Sequence, residues 1–144
     1  MPRLTHGEAQ DLLATFKKGW ETRAPDVIME LFDADIDYRP DPFAEPLIGR
    51  NAVRALWNDL VATQVNVEFD AERIWVSGQT ALSSWHAAYT RPKTAERVRA
   101  RGFLTLEVGE NGRVHRFRQW PLERVVGRDS TLGDSRLDAV GGTD

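Results

Sequence analysis

The sequence predicts an α+β fold in which three N-terminal helices pack on one face of a curved antiparallel sheet. Two observations carry this prediction. In the first part of the chain, apolar residues recur at intervals of three and four, the period of amphipathic helices. From Val65 to about Val126 the chain changes to long runs rich in Val, Trp, Thr and Phe. These runs are broken at Ser77–Gly78, Pro92 and Asn111–Gly112, which marks separate strands.

Each predicted helix has its own start signal. Thr5 and Glu8 are typical of a capping box, and the first helix should end near Glu21. Pro25 suits the first turn of a shorter second helix, and Asn51 can cap a third. The predicted buried positions of the three helices are Ala9, Leu12, Leu13, Phe16, Trp20, Val27, Ile28, Leu31, Phe32, Val53, Leu56, Trp57, Leu60 and Val61.

The composition limits the class of protein. The 144 residues fit one domain, placed at 1–126, and the polar, Gly-rich segment 127–144 should be a loosely ordered tail. Without cysteine, the chain cannot form disulfides or thiolate metal sites. A formal charge of −3 argues against a nucleic-acid partner. No apolar run approaches the ~20 residues of a membrane span, so we expect a cytoplasmic protein without a membrane partner.

The last predicted hairpin assigns residues to the two faces of the sheet. Asn111–Gly112 is typical of a type I′ turn that would pair Glu110 with Arg113. Counting back from this pair places one set of residues on the helix-facing side: Ala100, Gly102, Leu104, Leu106, Val108, His115, Phe117 and Gln119. The outer side then carries Phe103, Thr105, Glu107, Arg116, Arg118 and Trp120.

The register of the preceding strand depends on the length of one loop. If this loop spans Pro92 to Glu96, His86 lies on the helix-facing side, and a slip of one residue would move it to the other face. Trp85 then joins Phe103 and Trp120 on the outer side. Because a monomer would expose these three aromatic side chains, we predict a homodimer through that face.

Residues 36–51 contain three prolines and a glycine, and therefore predict a shaped loop. Asp41 lies between two of the prolines, with Tyr38 before it and Phe43 after it. Partial burial beside aromatic side chains would raise the pKa of its carboxyl toward that of a useful base. Asp before proline is also ordinary turn chemistry, so both interpretations stay open.

These residues together resemble the nuclear-transport-factor-2-like superfamily, which includes ketosteroid isomerases, polyketide cyclases, scytalone dehydratases and limonene-epoxide hydrolases. The resemblance covers roughly residues 6–126. It rests on Phe16 and Trp20, residues 25–32, residues 49–53, residues 111–114 and Trp120. It implies a cone of curved sheet closed by helices, usually dimeric, around a deep apolar pocket.

Asp41-Pro42-Phe43, with Pro46 and Ile48-Gly49-Arg50, is similar to the ketosteroid isomerase stretch that carries the general base, which implies this role for Asp41. Three positions depart from the families' patterns. Phe16 stands near the isomerases' oxyanion tyrosine, Leu104 near their protonated aspartate, and Gln119 near an acidic residue of the epoxide hydrolases. Authentic steroid isomerisation is therefore not expected.

The predicted site combines Asp41 as base with His86, Tyr38 and Gln119 as candidate donors. A strand histidine is also a common core or surface residue, Tyr38 could be plain core, and Gln119 could bond only strand backbone. The predicted pocket lining is Phe16, Trp20, Tyr38, Phe43, Trp57, Gly102, Leu104, Phe117 and Gln119.

The histidines His6, His86 and His115 form no spaced metal cluster, so no metal or cofactor is predicted. The arginines of the last two strands are better interpreted as a solvated or interface face than as an anion site. Three functions remain: an isomerase- or cyclase-type enzyme acting on a small apolar or aromatic molecule, a non-catalytic binding protein, and an accessory domain.

Overall fold

The computed structural model describes residues 3–129. The helices are α1 (His6–Glu21), α2 (Pro25–Met29) and α3 (Arg50–Thr63). The strands are β1 (Phe32–Arg39), β2 (Leu47–Ile48), β3 (Val65–Ser77), β4 (Thr80–Thr90), β5 (Glu96–Val108) and β6 (Val114–Arg128). The predicted α+β fold class is confirmed, but the predicted order of three helices before the strands is not, because β1 and β2 lie between α2 and α3.

All six strands form one curved, unclosed sheet in the order β2-β1-β6-β5-β4-β3. One pair departs from the antiparallel prediction, because β1 runs parallel to β6, with Tyr38 beside Phe117. The Arg118 guanidinium donates to the Asp37 carboxylate across this pair at 3.0 Å. This hydrogen bond is the main reason why the pKa of Asp37 lies below its usual range.

The helix starts follow the predicted signals in two of three cases. Thr5 and Glu8 form the reciprocal capping box of α1, and Pro25 occupies the first turn of α2. The prediction of Asn51 as the cap of α3 is wrong, since Gly49 precedes the helix and Asn51 lies inside it. Gly49 has a φ of 92°, which a residue with a side chain rarely adopts at such a corner.

Helix α1 is attached to the edge strand β3 at one backbone position, Phe69. The Lys17 ammonium donates to the Phe69 carbonyl at 2.6 Å, and the Phe69 amide donates to the Glu21 carboxylate at 2.8 Å. Lys17 also pairs with Glu21 at 2.8 Å, and this contact raises the pKa of Lys17. These bonds fix the helix across the inner face of the sheet.

The register of β5 against β6 agrees with the predicted pairs from Glu107–Arg116 to Gly102–Pro121. The turn itself differs, because the Gly109 amide bonds the Arg113 carbonyl at 2.9 Å. The predicted pairing of Glu110 with Arg113 is therefore wrong. A bulge beside Val108 leaves His115 outside the ladder and restores the predicted register further along.

The register of β4 against β5 is one residue away from the prediction. Trp85 pairs with Gly102, and His86 with Arg101. The loop has four residues rather than five, since the Arg91 amide already bonds the Glu96 carbonyl, and Ala95 adopts a φ of 62° in the turn. Trp85 therefore belongs to the buried face and His86 to the outer face. Both predicted placements are wrong.

The C-terminal strand continues to Arg128, two residues past the predicted end of the sheet. The Asp129 amide donates to the Ala95 carbonyl at 2.7 Å and fastens this end to the β4–β5 loop. The rest of the predicted tail, residues 130–144, lies outside the described residues. Within residues 3–129, no helix is long and apolar enough to cross a membrane.

Candidate functional site

The interior of the cone holds a group of buried aromatic side chains, which we call the aromatic cluster. Helix α1 contributes Phe16 and Trp20, one turn apart, and α3 contributes Trp57. The strands add inner-face residues to the same cluster: Phe32, Tyr38, Phe69, Trp85 and Phe117. All are buried, because the strand period of two places each of them under the helices.

The rings of the aromatic cluster contact one another directly. The ring of Phe16 lies 5.2 Å from that of Phe69, 5.6 Å from that of Trp57 and 5.8 Å from that of Phe117, between centroids. Tyr38 stacks on Phe117 at 4.5 Å. The predicted lining residues in the cluster face the interior, as does Leu104, but their side chains fill it by packing on each other. As ligand contacts they stay predictions.

Polar atoms inside the cluster are only partly satisfied. The Trp20 indole donates to the buried Gln64 amide oxygen at 2.7 Å. The indole N–H groups of Trp57 and Trp85 are buried without a hydrogen-bond partner among the described residues. Burial raises the pKa of Tyr38 above its usual range, and the nearby Trp57 indole only partly opposes this shift. Two buried donors are thus free to meet an acceptor.

A hollow of about 330 Å³ opens between the end of α3 and the β4–β5 loop. We call it the apolar hollow. Its walls are Ala62, Thr63, Gln64, Tyr89, Arg91, Pro92, Lys93 and Thr94. Gln64 connects it to the aromatic cluster through the bond to Trp20. A small, mostly apolar molecule fits a space of this kind.

Three polar groups meet beside the apolar hollow. The Tyr89 hydroxyl donates to the Glu123 carboxylate at 2.9 Å, and the Arg91 guanidinium lies 3.9 Å from the same carboxylate. Burial, followed by the charge of Glu123, raises the pKa of Tyr89 to about 12. At neutral pH, Tyr89 is therefore a hydrogen-bond donor, and the Glu123 carboxylate accepts its hydrogen bond.

The structure places Asp41 in the turn that its sequence context also allowed. Its carboxylate accepts the Phe43 amide at 2.8 Å, and its carbonyl accepts the Ala44 amide at 3.2 Å. The expectation that Phe43 lines a pocket is wrong, since its side chain is 97% exposed. The turn occupies one carboxylate oxygen, and the role of Asp41 as a base stays a prediction.

His86 does not belong to the interior. Its ring bonds Glu72 at 2.9 Å and lies 3.5 Å from Asp70, all on the outer face of the sheet. The hydrogen bond from His86 is the main cause of the lowered pKa of Glu72. The prediction that His86 lies on the helix-facing side, beside the interior pocket, is wrong, because the loop before β5 is one residue shorter than predicted.

Gln119 and Gly102 lie on the inner side of the sheet, as the hairpin count predicts. Gln119 is half-buried, and its side chain makes no hydrogen bond within residues 3–129. Gly102 leaves no room for a ligand, because a Cβ there would lie 2.2 Å from the Trp120 carbonyl oxygen. The backbone of β6 already occupies the space that the sequence assigned to a pocket.

Sequence reasoning missed Gln64, Tyr89, Arg91 and Glu123. The signal was the alternation along β4, where Ser83, Trp85, Ala87 and Tyr89 share the buried face once the register is known. In the described part of the chain, no cluster of three or more His, Asp or Glu side chains could hold a metal ion. The absence of a metal or cofactor stays a prediction.

Comparison with protein families finds one matching model, described as the SnoaL-like domain. It matches residues 13–117, which is most of the chain. No curated protein sequence matches the chain.

Solved structures with the same fold share little sequence with this chain. One is the epoxide hydrolase/cyclase-like enzyme SalBIII, which is described as acting in pyran ring formation in the polyether salinomycin. It is 16% identical, with a TM-score of 0.72 over 81% of this chain and 95% of its own. An LEH-like epoxide hydrolase of M. tuberculosis is 19% identical, with a TM-score of 0.67 over 79% and 78%. Rv0760c from Mycobacterium tuberculosis is 13% identical, with a TM-score of 0.71 over 83% and 98%.

Proposed function

Because the chain belongs to the SnoaL-like domain family, we propose that it is a cyclase- or isomerase-type enzyme acting on a small, largely apolar, oxygen-containing molecule. The observation that carries the proposal is the Tyr89–Glu123 hydrogen bond, 2.9 Å long, beside the apolar hollow. Proton-transfer chemistry needs a base and a donor close together, next to a space for substrate. This pair meets that requirement.

The roles follow from charge. Glu123 would accept a proton from the substrate. The Arg91 guanidinium would donate hydrogen bonds to the substrate oxygen where negative charge develops, and the Tyr89 hydroxyl would do so once its proton turns from Glu123 to that oxygen. The raised pKa of Tyr89, about 12, keeps its proton in place as a donor. In an isomerisation, Glu123 then returns the proton to another carbon. In a ring closure, Glu123 takes the proton of the attacking hydroxyl while that oxygen bonds to an epoxide carbon. The C–O bond of the epoxide breaks, and its oxygen receives the proton from Glu123.

The substrate class follows from the walls of the hollow and the cluster. Both are mainly apolar, and the Tyr89 hydroxyl and the Arg91 guanidinium at the wall of the hollow suit a carbonyl, ether or epoxide oxygen. The names of the structural neighbours, an epoxide hydrolase/cyclase-like enzyme of pyran formation and an LEH-like epoxide hydrolase, describe chemistry of this kind. An epoxy alcohol that closes to a pyran ring is our first candidate substrate.

A second candidate function is a binding protein without turnover. It is favoured by the packing of Phe16, Trp20 and Trp57, whose rings occupy the interior where a larger substrate would lie. Such a protein would hold a ligand only in the apolar hollow. It is distinguished from an enzyme by saturable binding without product.

We expect Glu123→Gln to lower kcat by about 10²–10⁴ and Tyr89→Phe to lower it by a smaller factor, because the first removes the base and the second one donor. The measurement is product formation by mass spectrometry from two probes. These are an epoxy alcohol that can close to a pyran ring and a β,γ-unsaturated cyclic ketone.

Asp41→Asn is the matched control, since it also replaces one carboxylate by an amide. It should keep wild-type activity. If Asp41→Asn is inactive while Glu123→Gln is active, Asp41 is the base and our assignment is wrong. Saturable binding of both probes with no product would favour the binding protein.

We also propose that the chain forms a homodimer through the outer face of the sheet. The predicted aromatic trio changes, because Trp85 is buried and the exposed patch consists of Trp75, Phe103 and Trp120, which are 40%, 47% and 44% exposed. A two-fold contact centred on the patch would bury the aromatic side chains of both copies.

We expect Trp120→Glu to convert the dimer to monomer in sedimentation velocity, since the change buries an unpaired charge in each half of the contact. Phe43→Glu is the control, because it adds the same charge to an exposed aromatic position away from the sheet. Equal dimer content in Trp120→Glu and wild type would show that the dimer does not form through this face.

A further inference from the structure

A second hollow, of about 570 Å³, lies on the outer face of the sheet and has a different character from the apolar hollow. It begins two residue pairs beyond Phe103–Trp120, where Arg101 pairs with Leu122, and continues to the pair Arg99–Arg124. His86, opposite Arg101, completes the group of positively chargeable side chains. We call this space the basic hollow.

Two of its guanidinium groups are uncompensated. Arg101 and His86 both contact the carboxylate of Glu72, at 2.6 and 2.9 Å. Arg99 and Arg124, by contrast, form no ion pair with any residue between 3 and 129. Adjacent like charges without counter-charges repel each other, so an anion placed between them would be stabilised.

The other arginines of these strands show that pairing is the usual state here. Arg97 lies 3.4 Å from Glu68, and Arg118 lies 3.0 Å from Asp37. The one acid that borders the basic hollow, Glu123, directs its carboxylate to the Tyr89 hydroxyl on the opposite face. Arg99 and Arg124 therefore lack the acidic partners that Arg97 and Arg118 have.

The basic hollow also has an apolar wall. Leu122 is 79% exposed and Val126 is 47% exposed, and both border the same space as the two free guanidinium groups. Exposure of this apolar wall to water is unfavourable, whereas the hydrocarbon part of an amphiphilic ligand would cover it. The volume is in the range of sites for small organic molecules, roughly 300–1,000 Å³.

We propose that the basic hollow is a binding site for a small organic anion, a carboxylate or phosphate ester, whose charged group lies between Arg99 and Arg124 and whose apolar body covers Leu122 and Val126. The site is on the opposite face of the sheet from the apolar hollow. It therefore takes a ligand of its own, a molecule other than the substrate of the proposed reaction.

The test is isothermal titration with 2-naphthoate, the uncharged 2-naphthamide and inorganic phosphate. We expect naphthoate to bind at least tenfold more tightly than naphthamide or phosphate, and its affinity to fall as salt is added. The double variant Arg99→Gln, Arg124→Gln should weaken naphthoate binding tenfold or more. Arg113→Gln, which removes an exposed arginine at the distant β5–β6 turn, should leave the affinity unchanged.

Four results would overturn the proposal. Equal affinity for naphthoate and naphthamide would show that charge plays no part. Unchanged naphthoate binding in the double variant would place the anion elsewhere. A double variant that loses the dimer while keeping naphthoate affinity would make the arginines part of the subunit contact. Phosphate binding as tightly as naphthoate would show that the apolar body of the ligand contributes nothing to its affinity.

Discussion

Replacing Phe16 with alanine is expected to lower the free energy of unfolding by about 3–5 kcal/mol. The side chain is buried and touches four other aromatic rings, with centroid distances between 5.2 and 5.9 Å. Helices α1 and α3 and strands β3 and β6 contribute these rings, so the resulting cavity cannot close without moving several elements. Urea denaturation monitored by circular dichroism measures the change.

Phe43→Ala is the control for the Phe16 variant, since the same atoms are removed from a side chain that is 97% exposed. It should change stability by less than about 0.5 kcal/mol. The Phe16→Ala cavity should also be apolar, so benzene is expected to stabilise this variant and not the wild type. A loss below about 1 kcal/mol would mean that neighbouring rings repack into the space.

Gly102→Ala is expected to destabilise the protein by about 3 kcal/mol, a large value for one added methyl group. The new Cβ would lie 2.2 Å from the Trp120 carbonyl oxygen and 3.0 Å from its carbonyl carbon. Both atoms belong to backbone, so a rotamer change cannot relieve the clash and β6 would have to move away from β5.

Gly7→Ala provides a matched comparison in the same assay. Gly7 lies in the first turn of α1, and the atom nearest to its added Cβ, Thr5 Oγ1, is 4.0 Å away. Alanine should raise stability there by up to about 1 kcal/mol, because it favours helix. If Gly102→Ala were as stable as Gly7→Ala, the close approach of β6 to β5 would not constrain the fold.

The elements that the sequence predicts well are those whose signals are local. The capping box of Thr5 and Glu8 lies within four consecutive residues, and Asn111–Gly112 marks its hairpin in two. The parallel pairing of β1 with β6 has no such signal. It joins strands about eighty residues apart, and only the complete set of packed faces determines it.

The candidate site shows how a small local error changes a functional conclusion. A β4–β5 loop shorter by one residue exchanges the faces of Trp85 and His86. The same exchange places Tyr89 on the inner face, where its hydroxyl bonds Glu123 of β6, a strand whose end the sequence marks poorly. Side-chain meetings of this kind depend on the register of several strands at once, so the sequence alone could not supply them.

The place of β1 beside β6 also bears on the order in which the chain can acquire its structure. As the chain leaves the ribosome, β1 emerges early, yet its long partner is the last strand to appear. Until then β1 can pair only with the two-residue strand β2, and β5 lacks its second neighbour. The edge of β1 that β6 covers therefore stays open through most of synthesis, and β6 closes it together with the edge of β5 when it arrives.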